Sequence, residues 1–396
     1  MKNAETPLAS RKHIGIFGNT NAGKSQLFNR ILNQDLAIVS EKRGTTTDPI
    51  IKGMELIPYG PIALVDTAGF GDGSKLGKER IRKTVQILER CDYIIYTVDS
   101  TDYDVTMIHN TLTKFGNTPY TICFTKIDLL TPKQLEQLKK RFPNAQFVNT
   151  NSPKSVDGLK HYLADELAKL TEEDDNLLSG IAAKRNHVVM VAPIDSAAPK
   201  GRLILPQVTF LRNCLDLGIV CTVTKEDTLA EVISSLPKID LVVTDSQIFR
   251  LVAKIVPKEI PLTSFSMLLA RQKGNIQEMI SACDIIPKLK AGDKVLMLEA
   301  CTHNETHEDI GRVKIPALLQ KKAGVPLTFD YFVAYDFPSD LSQYQLAIHC
   351  GGCMITKKAV RSRMEKCREA GLPITNYGVV LAYLNGISDR CKEVFS

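Results

Sequence analysis

Apolar residues along the chain fall into short, dense runs separated by stretches of helical spacing. Residues 13–17, 62–65, 93–98 and 120–124 are runs of the length and composition of strands buried on both faces. A helical pattern over 26–33 follows the first run, and another helix ends near Leu170. The acidic stretch Thr171-Glu172-Glu173-Asp174-Asp175-Asn176 then reads as a linker. Beyond it, strand-like runs at 187–192, 219–224 and 241–244 alternate with helical patterns at 203–217, 227–236 and 247–256. The alternation resumes with a helix over 275–289, a strand over 294–299, a helix over 309–322, a β-rich stretch over 327–335, a strand over 344–348 and a helix over 357–370. Strand–helix alternation of this kind predicts an α/β protein with mainly parallel sheets. The expected domains are 1–175, 176–270 and 271–396, the first large and the other two smaller.

Composition narrows the class. A chain of 396 residues exceeds one core, and 44% hydrophobic content without Trp suits ordinary globular domains. The formal net charge of +6 is modest, and no block of consecutive Lys/Arg forms a nucleic-acid footprint. The polar first residues lack the apolar core of a signal peptide, and no apolar run reaches the roughly 18 residues that span a bilayer. A cytoplasmic protein without membrane or nucleic-acid partners is expected, and its ten cysteines should be reduced thiols, some of them metal ligands.

The first strand runs into Gly18-Asn19-Thr20-Asn21-Ala22-Gly23-Lys24-Ser25 and then a helix beginning at Gln26. This is the phosphate-binding G-x-x-x-x-G-K-S pattern of a P-loop NTPase: glycines let backbone amides wrap phosphate oxygens, Lys24 reaches the β- and γ-phosphates, and Ser25 ligates magnesium. Gly44-Thr45-Thr46-Thr47-Asp48 offers Thr46 as a second magnesium ligand, and Asp66-Thr67-Ala68-Gly69 offers Asp66 behind the metal and the Gly69 amide as γ-phosphate sensor. Thr125-Lys126-Ile127-Asp128 follows another strand. A carboxylate there accepts from guanine N1–H and N2–H, a donor pair adenine lacks, so Asp128 selects GTP. Asn151-Ser152-Pro153-Lys154 suits the last base-contacting loop. Lys24, Thr46 and Gly69 are the expected catalytic residues.

Five motifs in this order resemble the translation-factor-like GTPases of the Era and TrmE group over about residues 11–170. Thr125 stands where that group usually has Asn, which predicts a looser tether between P-loop and base site, and Pro153 replaces a small Ala. Phe70 stands where Ras-like enzymes keep a water-orienting Gln, and Asp72 and Glu79 are the nearby polar candidates. Asn21 matches the P-loop Asn that in the TrmE-like group coordinates potassium beside the phosphates. The resemblance therefore implies slow intrinsic GTP hydrolysis stimulated by K⁺, with Mg²⁺ as the divalent cofactor.

The middle stretch carries no second P-loop, and its bland chemistry points to assembly as a homodimer. The last stretch differs. Cys301 and His303 fall just past one strand, and His349, Cys350 and Cys353 fall at the end of another. Ligands of open α/β sheets bind beyond the carboxyl ends of strands, so these thiols are expected at one sheet edge. Three thiolates with an open corner suit an iron–sulfur cluster, Cys₃His suits structural zinc, and Cys350 with Cys353 suits a redox pair. The other seven cysteines, Cys91, Cys123, Cys214, Cys221, Cys283, Cys367 and Cys391, read as small core residues.

A TrmE-like GTPase followed by an α/β domain and then C-x-H and H-C-x-x-C resembles the HydF family of FeFe-hydrogenase maturation GTPases over nearly the whole chain. That resemblance implies a homodimer binding a 4Fe-4S cluster through Cys301, Cys350 and Cys353, with His303, His349 or Glu308 as fourth ligand. It further implies a scaffold that receives a di-iron subcluster from two radical-SAM maturases and delivers it to apo FeFe-hydrogenase. The competing class is a ribosome- or tRNA-related assembly GTPase with a structural zinc site.

Overall fold

The computed structural model describes residues 7–33, 49–67, 86–170, 176–194, 201, 203–300 and 310–395. The chain divides into two compact units, 1–171 and 172–396. In the first, β1 (Lys12–Gly18), β2 (Ile50–Leu56), β3 (Gly60–Asp66), β4 (Tyr93–Asp99), β5 (Tyr120–Thr125) and β6 (Gln146–Phe147) form one sheet in the order β2-β3-β1-β4-β5-β6. Neighbours are parallel except β2, which lies antiparallel on β3. The continuous apolar runs become strands buried on both faces, as the pattern predicts. One face is covered by Leu27, Phe28 and Ile31 of the helix Lys24–Leu32 and by Leu159, Leu163 and Leu167 of the helix Pro153–Lys169. The other carries Phe17, Phe115, Phe124 and Leu138. Parallel packing aligns the strand ends, so the P-loop after β1, Asp66 at the end of β3 and Thr125 at the end of β5 share one edge.

The second unit holds two four-stranded sheets, all parallel. The first contains β7 (His187–Val191), β8 (Val220–Thr224), β9 (Leu241–Thr244) and β10 (Leu262–Ser264) in the order β10-β9-β7-β8. The second contains β11 (Lys294–Glu299), β12 (Thr328–Val333), β13 (Tyr344–His349) and β14 (Ile374–Asn376) in the order β12-β11-β13-β14. Read from its other edge, the second order repeats the first strand for strand. The registers agree as well. Val191 pairs with Thr244, which pairs with Ser264; Leu298 pairs with His349, which pairs with Asn376. Each repeat closes alike, as Pro261-Leu262-Thr263-Ser264 and Pro373-Ile374-Thr375-Asn376 run straight into the helices Phe265–Lys273 and Tyr377–Leu384.

The helix Phe265–Lys273 joins the repeats. Phe265, Leu268 and Leu269 pack in the core of the first sheet, while Met267 and Ala270 belong to the core that includes β11 and β13. The boundary expected between 270 and 271 therefore falls inside a continuous, doubly buried helix. Two expected helices are also corrected. The stretch 275–289 is α-helical only over Ile276–Ser281 and continues as a 3₁₀ turn over Ala282–Lys288, where Pro287 removes an amide donor. The stretch 309–322 begins as a π-turn over Ile310–Lys314 and becomes α-helical over Ile315–Ala323, with Pro316 in its first turn.

Candidate functional site

Three strand ends build the nucleotide site. Gly18 ends β1 with φ +153°, and a Cβ there would strike the Thr97 carbonyl oxygen, so only glycine lets the loop leave β1 against β4. Asn21 and Gly23 are both left-handed, at φ 65° and 76°. The resulting loop turns its amides around the start of the helix Lys24–Leu32, the geometry of an anion cradle. Lys24 is 8% exposed, and its ammonium donates to the Asn19 carbonyl at 2.7 Å. Ser25 Oγ donates to Asp66 Oδ2 at 2.8 Å. The second carboxylate oxygen, Asp66 Oδ1, is buried with no hydrogen-bond partner. An orphaned buried carboxylate oxygen beside a serine hydroxyl is a donor set that fits a hard divalent cation such as Mg²⁺.

Burial holds the Lys24 ammonium down at about 8 against the pull of Asp66, and burial pushes the Asp66 carboxyl up despite its Ser25 hydrogen bond. The sign for Lys24 follows. Its folded value lies below its ordinary 10.5, so between about 8 and 10.5 the unfolded chain holds a proton that the folded chain lacks, and folding stability rises with pH through that window. A triphosphate beside Lys24 reverses the shift. Nucleotide binding should therefore take up protons above about pH 8, with affinity falling by up to about tenfold per pH unit between about 8 and 9. Calorimetry in two buffers of different ionisation enthalpy measures that uptake.

Thr125 is packed against the P-loop. Its hydroxyl lies 2.9 Å from the Ala22 carbonyl oxygen and 3.2 Å from that of Val98, at 1% exposure. The shorter side chain thus still ties the P-loop to β4 and β5, and the tether is not lost with Asn. Lys126 is left-handed at φ 55°, and its ammonium pairs with Asp99. Asp128 is exposed in the 3₁₀ turn Ile127–Leu129. Asn151, in the expected base-contacting loop, bridges two expected site residues: its amide nitrogen donates to Asp128 Oδ2 at 3.5 Å, and its oxygen accepts from Gln26 Nε2 at 3.4 Å. Ser152 caps the helix Pro153–Lys169 by accepting from the Ser155 amide, and Pro153 fits at its first position, where no amide donor is needed; Lys154 is exposed. Thr46, Gly69, Phe70, Asp72 and Glu79 lie outside the described residues.

The thiol loop grows from the ends of β11 and β13. Leu298 pairs with His349, and the Ala300 amide donates to Cys350 Sγ at 3.1 Å, so the residue just before Cys301 touches Cys350. The Gly352 amide adds a second donor at 3.4 Å. Two amides aimed at one half-buried sulfur suit a thiolate ligand. Gly352 is left-handed at φ +65°, a turn that lets the chain fold back beneath Cys350. Lys273, 7% exposed, donates to the Gly352 and Ile355 carbonyls, both at 2.7 Å, and Asn376 Nδ2 donates to the Cys350 carbonyl at 3.1 Å. Glu299, just before the loop after β11, is clamped by Arg312 at 3.0 Å, just after it.

His349 is 1% exposed, and Arg363 Nη1 lies 2.9 Å from its Nε2. A guanidinium only donates, so Nε2 accepts and Nδ1 carries the proton, which goes to the Cys350 carbonyl at 2.7 Å. Burial, then the Arg363 charge, hold the ring neutral down to about 3. Both ring nitrogens are thus engaged within the protein, which removes His349 from the candidate fourth ligands in this arrangement. Cys301, His303 and Glu308 lie outside the described residues, and among the described residues no three His, Cys, Asp or Glu side chains cluster as a metal site. Six of the seven remaining cysteines are buried, and Cys221 is half-buried on β8. The repeat adds a contrast. By register, Asp245 stands in the first sheet where Cys350 stands in the second, and Ile194 where Cys301 stands. The thiol chemistry thus belongs to one repeat alone.

Comparisons with known proteins match three separate stretches of the chain. A family model described as hydrogen maturase F tetramerization domain matches residues 277–394, and one described as hydrogen maturase F dimerization domain matches 177–274. One described as 50S ribosome-binding GTPase matches 13–126. GTPase Der of Kosmotoga olearia is 34% identical over 148 residues, 35% of this chain and 33% of that protein. The tRNA modification GTPase MnmE of Bacteroides thetaiotaomicron is 31% identical over 176 residues, 41% of this chain and 37% of that protein. The chain spans about a third of the length of these curated relatives. Among solved structures, Era in complex with MgGDPNP and a 16S ribosomal RNA segment aligns with a TM-score of 0.34 and 20% identity, covering 54% of this chain and 91% of that one.

Proposed function

Because the chain belongs to the hydrogen maturase F family and carries a GTPase domain, we propose that it is a GTP-hydrolysing scaffold for hydrogenase metal-cluster assembly. In this reading Cys301, Cys350 and Cys353 hold a 4Fe-4S cluster. Its cargo is the di-iron subcluster, received from two radical-SAM maturases and passed to apo FeFe-hydrogenase. The observation that carries the cluster assignment is the Ala300 amide on Cys350 Sγ, which ties the two cysteine-bearing strand ends together. A resident cluster would supply an iron corner open to a further ligand. The protein supplies the rest: amide donors from Ala300 and Gly352 toward Cys350, and a loop held from behind by Lys273 and Asn376. With His349 engaged elsewhere, His303 and Glu308 are the candidates for the labile fourth ligand.

In the first unit Ser25 and Thr46 would ligate Mg²⁺ with Asp66 behind them, and the Gly69 amide would meet the γ-phosphate. K⁺ at Asn21 would supply the charge that an arginine finger gives elsewhere. Self-association as a homodimer is supported by β8. It is an edge strand with Val220 and Val223 half-exposed, and Leu215 on the preceding helix is 73% exposed, an apolar edge open to a second copy. Among the described residues no helix is long and apolar enough to cross a membrane.

One preparation tests the proposal. Protein loaded anaerobically with iron and sulfide should be brown with broad absorption near about 400 nm, and Cys301→Ala, Cys350→Ala and Cys353→Ala should each lose most of that colour. Retained colour in all three variants, or a colourless zinc-bound protein, would sink the cluster assignment and favour an assembly GTPase with structural zinc. The same protein should hydrolyse GTP faster in K⁺ than in Na⁺; equal rates would remove Asn21 as a potassium ligand.

A further inference from the structure

The thiol loop rests on a positive charge that its hydrogen-bond partners leave uncompensated. Arg363, on the helix Lys357–Glu369, is 4% exposed. Its guanidinium donates to His349 Nε2 at 2.9 Å, to the Ala334 carbonyl, and to the Asp336 carbonyl at 3.2 Å, and it lies 5.9 Å from the Phe337 ring centroid. All four partners are neutral groups, and among the described residues Arg363 makes no ion pair. Guanidinium keeps its proton inside proteins, and a buried charge without a counter-ion costs several kcal/mol. A fold sustains such a cost where an anion is bound nearby.

Resting on the cluster reading above, we propose that Arg363 is the built-in counter-charge of the thiolate-bound cluster and the positioning residue of the Cys350 loop. Two effects follow from its geometry. Donation to Nε2 fixes the His349 tautomer, so Nδ1–H grips the Cys350 carbonyl and Cys350 Sγ stays under the Ala300 and Gly352 amides. The fixed positive charge also favours the more anionic, reduced form of a thiolate-ligated cluster and so raises its reduction potential. His349 then serves Cys350 from behind, as an orienting group between cation and loop.

The test compares the full chain with Arg363→Gln and Arg363→Lys after anaerobic loading with ferrous iron and sulfide. Iron per chain is counted, and the reduced fraction is followed by electron paramagnetic resonance during a mediated redox titration. Arg363→Gln should hold about tenfold less reduced cluster relative to oxidised at a fixed potential, equivalent to about 59 mV for one electron. Arg363→Lys, which keeps the charge, should stay within about threefold of wild type. An unchanged midpoint in Arg363→Gln with full iron overturns the inference. If Arg363→Gln does not load, Arg363→Lys decides: wild-type iron and midpoint support the counter-charge, and failure to load overturns it. A wild-type chain that takes up no cluster is a different result, because it defeats the cluster reading itself.

Discussion

Asp128→Asn should lower GTP affinity by about 10²–10⁴-fold and raise affinity for xanthosine triphosphate, measured by competition with a fluorescent nucleotide. Asp128 is exposed at the end of β5, and Asn151 Nδ2, at 3.5 Å from Oδ2, holds its carboxylate only loosely. Both oxygens can therefore turn to the N1–H and N2–H of guanine. Asn offers one acceptor and one donor at the same place, so a guanine N–H donor would face an N–H donor and lose its partner. Xanthine replaces the exocyclic amine with a carbonyl, which an Asn amide can satisfy. The size of the effect comes from donors of the bound guanine left without acceptors, which cost more than a lost contact in water. Equal loss for both nucleotides would mean that Asp128 holds the loop instead of reading the base. Asn151→Ala supplies the comparison: it removes the bridge between Gln26 and Asp128 and should weaken both nucleotides alike.

The parts of the fold that the chain announces are those with one dominant local cause. β1, β4 and β5 are apolar runs bounded by polar loops, and burial on both faces makes that pattern unambiguous. The helices Phe265–Lys273 and Tyr377–Leu384 were not legible because they lie between packed layers. Residues 267–270 and 377–382 are buried consecutively, so no polar stripe marks a helical period. β10 and β14 are three residues each, too short to alternate, and β2 is a half-exposed antiparallel edge. The same asymmetry holds at the sites. The roles expected for Lys24, Ser25, Asp66 and Asp128 rest on fixed spacing in one loop or at one strand end, so they are written locally. Lys273 and Arg363 are ordinary basic residues on helices, and only the folded chain carries them beneath the thiols. The duplicated sheet order was equally hidden, since strand order and register persist where residues such as Asp245 and Cys350 do not match.

Lys273→Met should destabilise the second unit by about 2–4 kcal/mol, a fall in melting temperature of roughly 4–16 °C at its size, and should deplete bound iron. Methionine keeps the length and most of the volume, so packing at the end of the helix Phe265–Lys273 is preserved and the loss isolates the ammonium. That ammonium donates to the carbonyls of Gly352 and Ile355, both at 2.7 Å, which flank Cys353. Removing it leaves two buried acceptors without their charged donor. Relief from burying a cation works in the opposite direction, since apolar replacements of buried charges can stabilise. The backbone acceptors cannot be replaced along with the lysine, however, and that decides the sign. Hydrogen exchange at residues 350–355 should rise in the variant while exchange in β7 and β9 stays slow, which separates a loosened loop from a unit that has unfolded throughout. Lys273 falls within the match to the dimerization domain, and the loop it holds falls within the match to the tetramerization domain. The thiol loop therefore depends on both repeats, and a change in how they pack would be felt first at Cys353.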